Sequence, residues 1–399
     1  MASDQTSEYI SSPIEITGLA MLGIFGNLTP FILPIVLGGI VDDFNLTTQQ
    51  ASTIASVELA GLGLGAFLWS RVVNTTTWRP IVYAAIAISA IGSLLSASAT
   101  GMWPLLLARF VAGIGSGVFL AAGNTGLSMA RQPDRTLGSI GVIALLTSAG
   151  LVFIFSQIRL KCGIAGVFYA MSALGLVLII AARAMPLRSP AGRTAQQPSG
   201  RNLSVFDALR QPLMALALLS TFCFFVAAIN FWVYIERVGV GLGFSGNDIS
   251  SGLSVSQFGG AAGALFVAVV GTMLGGRLIP IIFLVGTAAA SAFVIAIGPS
   301  YTLFVVACAG LSFAWAGFYP YLMGTLISAE KSGQLVAYCL TAQTIGKSAG
   351  PALMAVILAG DNFAMVYWTS VTFFALSLLT LVPAVLATDR EFKVSRSPN

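Results

Sequence analysis

Long apolar stretches begin near residue 14 and follow one another almost to the end of the chain. Twelve segments of the roughly 20 mainly apolar residues that a membrane crossing needs can be drawn: 14–40, 47–69, 79–99, 102–129, 136–158, 163–184, 212–235, 249–272, 278–298, 301–327, 333–359 and 362–387. Lipid offers the backbone no hydrogen-bond partner, so each segment must satisfy its own amides, and continuous runs of this length do so as helices. A membrane β-barrel would show short alternating segments instead. Composition agrees. Only 8% of the 399 residues are charged and 57% are hydrophobic, whereas soluble domains carry about 25% charged residues. The expected fold class is an all-α membrane protein with twelve transmembrane helices. Met1 to Ser12 is polar and acidic and lacks the basic start of a secretory signal, so no cleaved targeting peptide is expected.

The longest polar stretch, Pro186 to Gln211, contains Pro190, Pro198 and four arginines. It separates six spans from six and predicts an N-terminal bundle over 1–185, a linker over 186–211 and a C-terminal bundle with a short tail over 212–399. Charge sets the orientation. With the N-terminus in the cytoplasm, fourteen Lys and Arg residues fall in cytoplasmic loops and tail, against Arg159, Lys161 and Arg237 outside. That asymmetry is the positive-inside pattern, and it places both termini, with the linker, in the cytoplasm. The net charge of +5 is spread over short loops with no basic stripe, so nucleic acid is not an expected partner.

Several chemistries are disfavoured. The chain has no histidine, and its four cysteines (Cys162, Cys223, Cys308 and Cys339) are far apart in or beside apolar runs. They read as buried structural thiols, and no Cys/His metal cluster is expected. No GxxxxGK[ST] phosphate loop occurs, so nucleotide hydrolysis is not expected to drive the protein. Lys347 beside Ser348 imitates a Ser–Lys dyad, but adjacent residues on a helix point apart. No enzyme activity and no cofactor are expected.

The two halves carry traces of a repeat. Residues 61–67 read GLGLGAF and residues 260–266 read GAAGALF, an offset of 199; SAG at 148–150 recurs at 348–350. The matches fall in corresponding spans, second with eighth and fifth with eleventh, as parallel duplicated halves would place them. Arg109-Phe-Val-Ala-Gly113-Ile-Gly115-Ser-Gly117 stands in the fourth span, and Gly271, Gly276 and Arg277 stand after the eighth. With these residues, the six-plus-six layout and the parallel repeat, nearly the whole chain resembles the major facilitator superfamily. The proline–glycine signature of the drug-antiporter branch is missing from the fifth span, where only Gly141 and Gly150 remain.

The resemblance implies two pseudo-symmetric six-helix bundles. Spans 1, 4, 7 and 10 would line a cavity, and spans 2 and 11, like 5 and 8, would meet across the halves. Glu58 lies about 11 residues, or roughly 16 Å, from the external end of the second span, and Lys347 lies near the middle of the eleventh. Charges at such depth normally face a cavity or a partner, so an ion pair between Glu58 and Lys347 is expected. Through the repeat, Glu58 corresponds to Gln257 and Lys347 to Thr147, which predicts an uncharged polar contact at the symmetric position. In the sharper form, Glu58 takes a proton and Lys347 attracts a carboxylate. Arg109 reads either as a coupling or anion-attracting residue, as the family motif implies, or as an arginine bonded to backbone carbonyls. Gly113 and Gly117, four apart, permit close helix packing. Glu15 and the pair Glu236-Arg237, near span ends, are expected to snorkel to the interface.

Polar and aromatic residues in cavity-lining spans complete the expected site. Asn27, Asn124, Asn230, Trp232, Trp315 and Tyr319, with Gln343 one turn before Lys347, form the candidate substrate-binding set, since aromatic walls with a few placed polar groups suit a small-molecule pocket. Pro30, Pro34 and Pro320 should bend their helices. The expected function is secondary active transport of a small organic solute by alternating access, coupled to protons, with an organic anion or aromatic acid favoured. Drug efflux is the alternative, and a non-transporting membrane sensor a further one. The expected partners are the substrate, a proton or other coupling ion and the lipid bilayer, with the chain acting as a monomer in a bacterial inner membrane.

Overall fold

The computed structural model describes residues 10–73, 77–131, 133–187, 209–271, 273–274, 276–295, 297–298, 300–329, 334–358, 360 and 362–394. Most of the linker expected over 186–211 lies outside them. Regular structure among the described residues is helical, apart from one isolated bridge. There the Ile10 N–H donates to the Met129 carbonyl at 3.1 Å, and the Arg131 N–H donates to the Ile10 carbonyl at 3.2 Å.

The helices are α1 (Pro13–Gly26), α2 (Leu28–Phe44), α3 (Thr48–Val72), α4 (Trp78–Ala97), α5 (Met102–Ser128), α6 (Pro133–Ala184), α7 (Pro212–Gly241), α8 (Gly246–Val270), α9 (Leu278–Ile295), α10 (Tyr301–Ala329), α11 (Gln334–Ile357) and α12 (Ala364–Val394). Taking α1 with α2 as one crossing, ten among the described residues are long and apolar enough to cross a membrane. The helix outside that set is α11, which carries Lys347 and several polar residues. The chain divides into two compact units, Met1–Gln197 and Pro198–Asn399.

Two breaks shape the first unit. The first apolar run stops at Asn27, between α1 and α2. Pro30 has no N–H to offer the Gly26 carbonyl and its ring crowds that carbonyl, which favours a break there. Pro30 instead occupies the first turn of α2, where a missing N–H costs little. Asn27 closes α1 with its own N–H on the Gly23 and Ile24 carbonyls, both at 3.2 Å. The second break is Gly163, whose φ of 68° interrupts α6 between the fifth and sixth apolar runs. The freed Ile164 N–H donates to Asp43 Oδ2 at 2.5 Å, and Asp42 pairs with Arg159. The end of α2 is thereby tied to the turn inside α6.

Small residues set the closest crossings. In α3, Gly61 and Gly65 face the carbonyls of Phe110 and Ile114; in α5, Gly113 and Gly117 face the carbonyls of Glu58 and Leu62. A Cβ at any of the four would collide with the facing oxygen. Without a hydrophobic driving force between helices in lipid, such backbone approach supplies much of the packing. The second unit repeats the device: Gly259 and Gly263 of α8 face the carbonyls of Ala309 and Phe313 of α10.

These contacts give the register of the repeat. Gly61 and Gly65 correspond to Gly259 and Gly263, an offset of 198. Thr47 and Ser245, N-caps that each close a capping box, stand at the same offset. Between α5 and α10 the offset is 199, set by Phe110 with Ala309 and Ile114 with Phe313. The structural equivalent of Glu58 is therefore Ser256, one residue before the Gln257 expected from sequence. Glycines two apart in GLGLGAF let the sequence align one residue off; the carbonyls they face remove the choice.

Valine at Gly65 or Gly263 should cost about 1–3 kcal/mol by overpacking. Alanine at Gly150, where nothing lies within 4 Å of the added carbon, should leave stability unchanged. Thermal unfolding of the detergent-purified variants checks both expectations.

Candidate functional site

In the first unit, α3 and α5 bring together the two deepest charges. Glu58 is 1% exposed and Arg109 0%. Arg109 Nε donates to Glu58 Oε2 at 3.0 Å, and Nη2 donates to Oε1 of the same carboxylate. The guanidinium also lies over the Phe168 ring of α6, 5.0 Å from its centroid. Its Nη1 has no hydrogen-bond partner among the described residues. A two-pronged pair of this kind matches the fork of the guanidinium to both carboxylate oxygens. It also removes most of the penalty of placing either charge in hydrocarbon, about 2.5–3.5 kcal/mol each on insertion scales.

The pairing differs from the sequence expectation. Lys347, the partner assigned to Glu58, belongs to the other unit; within its own unit Glu58 has both oxygens engaged by Arg109. The alternative reading of Arg109 as bonded to backbone carbonyls is replaced by a side-chain ion pair. The repeat offers a comparison: the positions equivalent to Glu58 and Arg109 are Ser256 and Cys308, both 0% exposed. The Ser256 hydroxyl bonds back to the Leu253 carbonyl at 2.7 Å.

In the second unit, α7, α10 and α11 assemble an aromatic site around a cation. Lys347 Nζ lies 5.3 Å from the Phe225 ring centroid and 5.5 Å from that of Trp315. Phe225 meets Trp315 edge-on at 5.3 Å and Tyr319 at 6.4 Å. Trp315 and Tyr319 share a face of α10 because they are four residues apart, and Gln343 shares a face of α11 with Lys347 for the same reason. All four are half-buried. The preceding residue of α7, Phe224, meets Phe225 edge-on at 5.5 Å and stacks on Phe318 at 3.9 Å, beside Phe374 of α12. No ion pair joins Lys347 to a carboxylate of its own unit among the described residues. An ammonium bordered by rings, with no counter-ion among the described residues of its unit, is chemically equipped to take an anion carried on a planar apolar body.

The remaining candidates scatter. Asn230 is fully buried, and its Nδ2 donates to Ser370 Oγ at 3.2 Å and to the Val366 carbonyl at 3.4 Å, both on α12. Its Oδ1 has no partner among the described residues. Trp232 and Gln257 are buried, and Thr147 is half-buried. Asn27 and Asn124 both border Gly23: Asn27 Nδ2 donates to the Gly23 carbonyl at 3.2 Å, and Asn124 Oδ1 lies against Gly23 from α5. Glu236 and Arg237 do not snorkel; they are buried and bonded to each other, at 2.7 Å between Nε and Oε2. Of the four thiols, Cys162 is exposed and the other three are buried. Phe225 and Phe168 escaped the sequence reading, because a phenylalanine in an apolar helix carries no signal of the charge it borders.

Breaking the Glu58–Arg109 pair from one side leaves a buried charge alone. Arg109→Met and Glu58→Leu should each cost about 3–5 kcal/mol, while the double variant should lose far less than their sum. A double-mutant cycle on thermal unfolding reads this coupling.

Comparison with known proteins agrees with this architecture. Residues 16–329 match the family model described as Major Facilitator Superfamily. Over 397 residues the chain is 26% identical to a Bacillus subtilis (strain 168) protein provisionally named the niacin/nicotinamide transporter NiaP, covering 95% of this chain and 96% of that one. Two solved structures share the fold. A mutant of the nucleoside transporter NupG superposes with a TM-score of 0.72 at 15% identity, covering 94% of this chain and 99% of that one. A bacterial homologue of the human lysosomal transporter Spinster, inward-facing and unoccupied, superposes with a TM-score of 0.62 at 16% identity, covering 98% and 100%. With its all-helical units and its family match over most of its length, the chain is a multi-pass membrane transporter that belongs to the Major Facilitator Superfamily.

Proposed function

We propose that this chain is a gradient-driven carrier of a small aromatic monocarboxylate, with pyridine-3-carboxylate (niacin) the first candidate. The observation that carries the reading is the Lys347 ammonium bordered by Phe225 and Trp315, with Tyr319 edge-on to Phe225. A carboxylate supplies the counter-charge that Lys347 lacks within its unit, and a flat ring packs against the aromatic faces. The Bacillus relative adds support, because its name joins an aromatic acid with the matching amide. Between those two, Lys347 favours the acid: a neutral amide would leave the ammonium uncompensated. In this reading Gln343, one turn away on α11, hydrogen-bonds a ring nitrogen or the second carboxylate oxygen.

The absence of a phosphate loop from the sequence favours an ion or solute gradient as the energy source. Alternating access around a central site is the working cycle that the family fold supports. The bacterial relative favours a bacterial inner membrane as the location.

Tryptophan quenching in the purified protein tests the substrate. Nicotinate should quench more strongly than nicotinamide, and Trp315→Phe should remove most of the signal. Loss of one charge-assisted hydrogen bond is worth about 1.5–3 kcal/mol, so Lys347→Met should weaken nicotinate binding by about 10–100-fold. Stronger quenching by a lipophilic cation such as tetraphenylphosphonium, undiminished in Lys347→Met, would reject the acid and favour drug efflux.

A further inference from the structure

The first unit carries a groove that the proposed transport site does not use. It runs between α4 and the second half of α6 and encloses about 560 Å³. Small residues make the space: Ala87 and Ala90 on α4, Ala173 and Gly175 on α6. A Cβ on Gly175 would stand 3.3 Å from the Ala90 Cβ, so the helices already touch at the floor and the space lies outside it. Ala87 and Ala173 are exposed, as are Leu94, Tyr169 and Leu176, which also line the groove. All of them belong to segments long and apolar enough to cross a membrane, so the groove opens toward hydrocarbon.

Both walls end in arginine, and at the same end. Arg79, Tyr83 and Ala87 follow at four-residue spacing, so Arg79 continues the α4 wall by one turn. Leu176, Ile179 and Arg183 follow at three and four, so Arg183 continues the α6 wall. The helix ends are joined there: the Trp78 N–H donates to the Leu187 carbonyl and Arg79 Nε to the Met185 carbonyl, each at 2.8 Å. That bond uses one of the N–H groups of the Arg79 guanidinium fork, and Arg183 is exposed. Among the described residues neither arginine pairs with a carboxylate. The α9–α12 crossing of the second unit is finished differently. Asp389 of α12 accepts the Arg277 N–H at 2.9 Å, and Phe293 of α9 packs against Trp368 of α12 at 6.1 Å. The open slot with a cationic end is thus a feature of the first unit's crossing and not of the repeat.

We infer that the α4–α6 groove binds one anionic phospholipid of the cytoplasmic leaflet, its phosphate at Arg79 and Arg183 and an acyl chain along the groove. The α4 wall runs from Tyr83 to Leu94, roughly 16 Å at the helical rise. That is about half of a hydrocarbon core roughly 30 Å thick, the depth of one leaflet. The charge asymmetry of the loops puts the arginine end at the cytoplasmic face, where anionic lipids are held. Any acyl chain can fill an apolar slot; the two arginines select the headgroup that stands above it. The lipid site is independent of the substrate proposed above.

Native mass spectrometry of the detergent-purified chain, titrated with dioleoyl phosphatidylglycerol or dioleoyl phosphatidylcholine, tests the site. Each basic side chain at an anionic lipid headgroup is worth about fivefold, so wild type should hold one phosphatidylglycerol about 10–30-fold more tightly than one phosphatidylcholine. Arg183→Gln should cut that preference about fivefold and leave phosphatidylcholine binding unchanged. Ala173→Trp fills the groove from its exposed side and should weaken the binding of both lipids; Ala87→Phe fills it from α4 and carries the same expectation if the first variant folds poorly. Equal affinity of wild type for the two lipids overturns the inference. So does a phosphatidylglycerol preference that survives both filling variants undiminished, which places the lipid elsewhere. A dimer in the lipid-free spectra that the filling variants abolish gives the groove to a second copy of the chain and overturns it too.

Discussion

A bilayer supplies no hydrogen bonds to the backbone, and the rest of this structure follows from that lack. It forces the apolar segments into helices and removes the usual hydrophobic reason for helices to associate. What remains is contact area, and contact area at short range requires glycine. The four glycines between α3 and α5 and the two between α8 and α10 let backbone meet backbone carbonyl. The same shortage of partners governs side chains. A deep polar group is best served by bringing its own partner, as Arg109 does with Glu58 and Asn230 with Ser370.

Lys347 stands out against this background. Its neighbours within its unit are rings, which attract a cation weakly and leave it able to bind something stronger. The two units thus spend their deep charges differently. One closes them into a neutral pair; the other leaves an ammonium at the edge of an aromatic wall.

Fold class was legible because it depends on segment length and mean polarity, which single residues cannot disguise. That Glu58 and Arg109 must be buried against a partner was legible too, since any charge in the middle of an apolar run demands one. Their partners were not. Side-chain direction depends on how α3 and α5 rotate against each other, and the glycine–carbonyl contacts that fix this rotation involve residues with no distinctive pattern. The sequence repeat aligns Glu58 with Gln257 and the structure aligns it with Ser256, a one-residue ambiguity among closely spaced glycines. Glu236 and Arg237 stand near a helix end in sequence without reaching water, because α7 continues to Gly241 and buries both.

The break at Asn27 has a mechanical meaning. A continuous helix is a stiff shaft: rotating or tilting one end moves the other. Here α1 is seated on α5 through Gly23 and Gly26 and on the end of α6 through Gly18, while α2 is pinned to the turn inside α6 through Asp43 and Gly39. The two pieces of one crossing answer to different neighbours, and the joint between them transmits little torque. A displacement that begins at one face of the membrane can therefore stop halfway through it, and the two ends of the first crossing can open and close out of step.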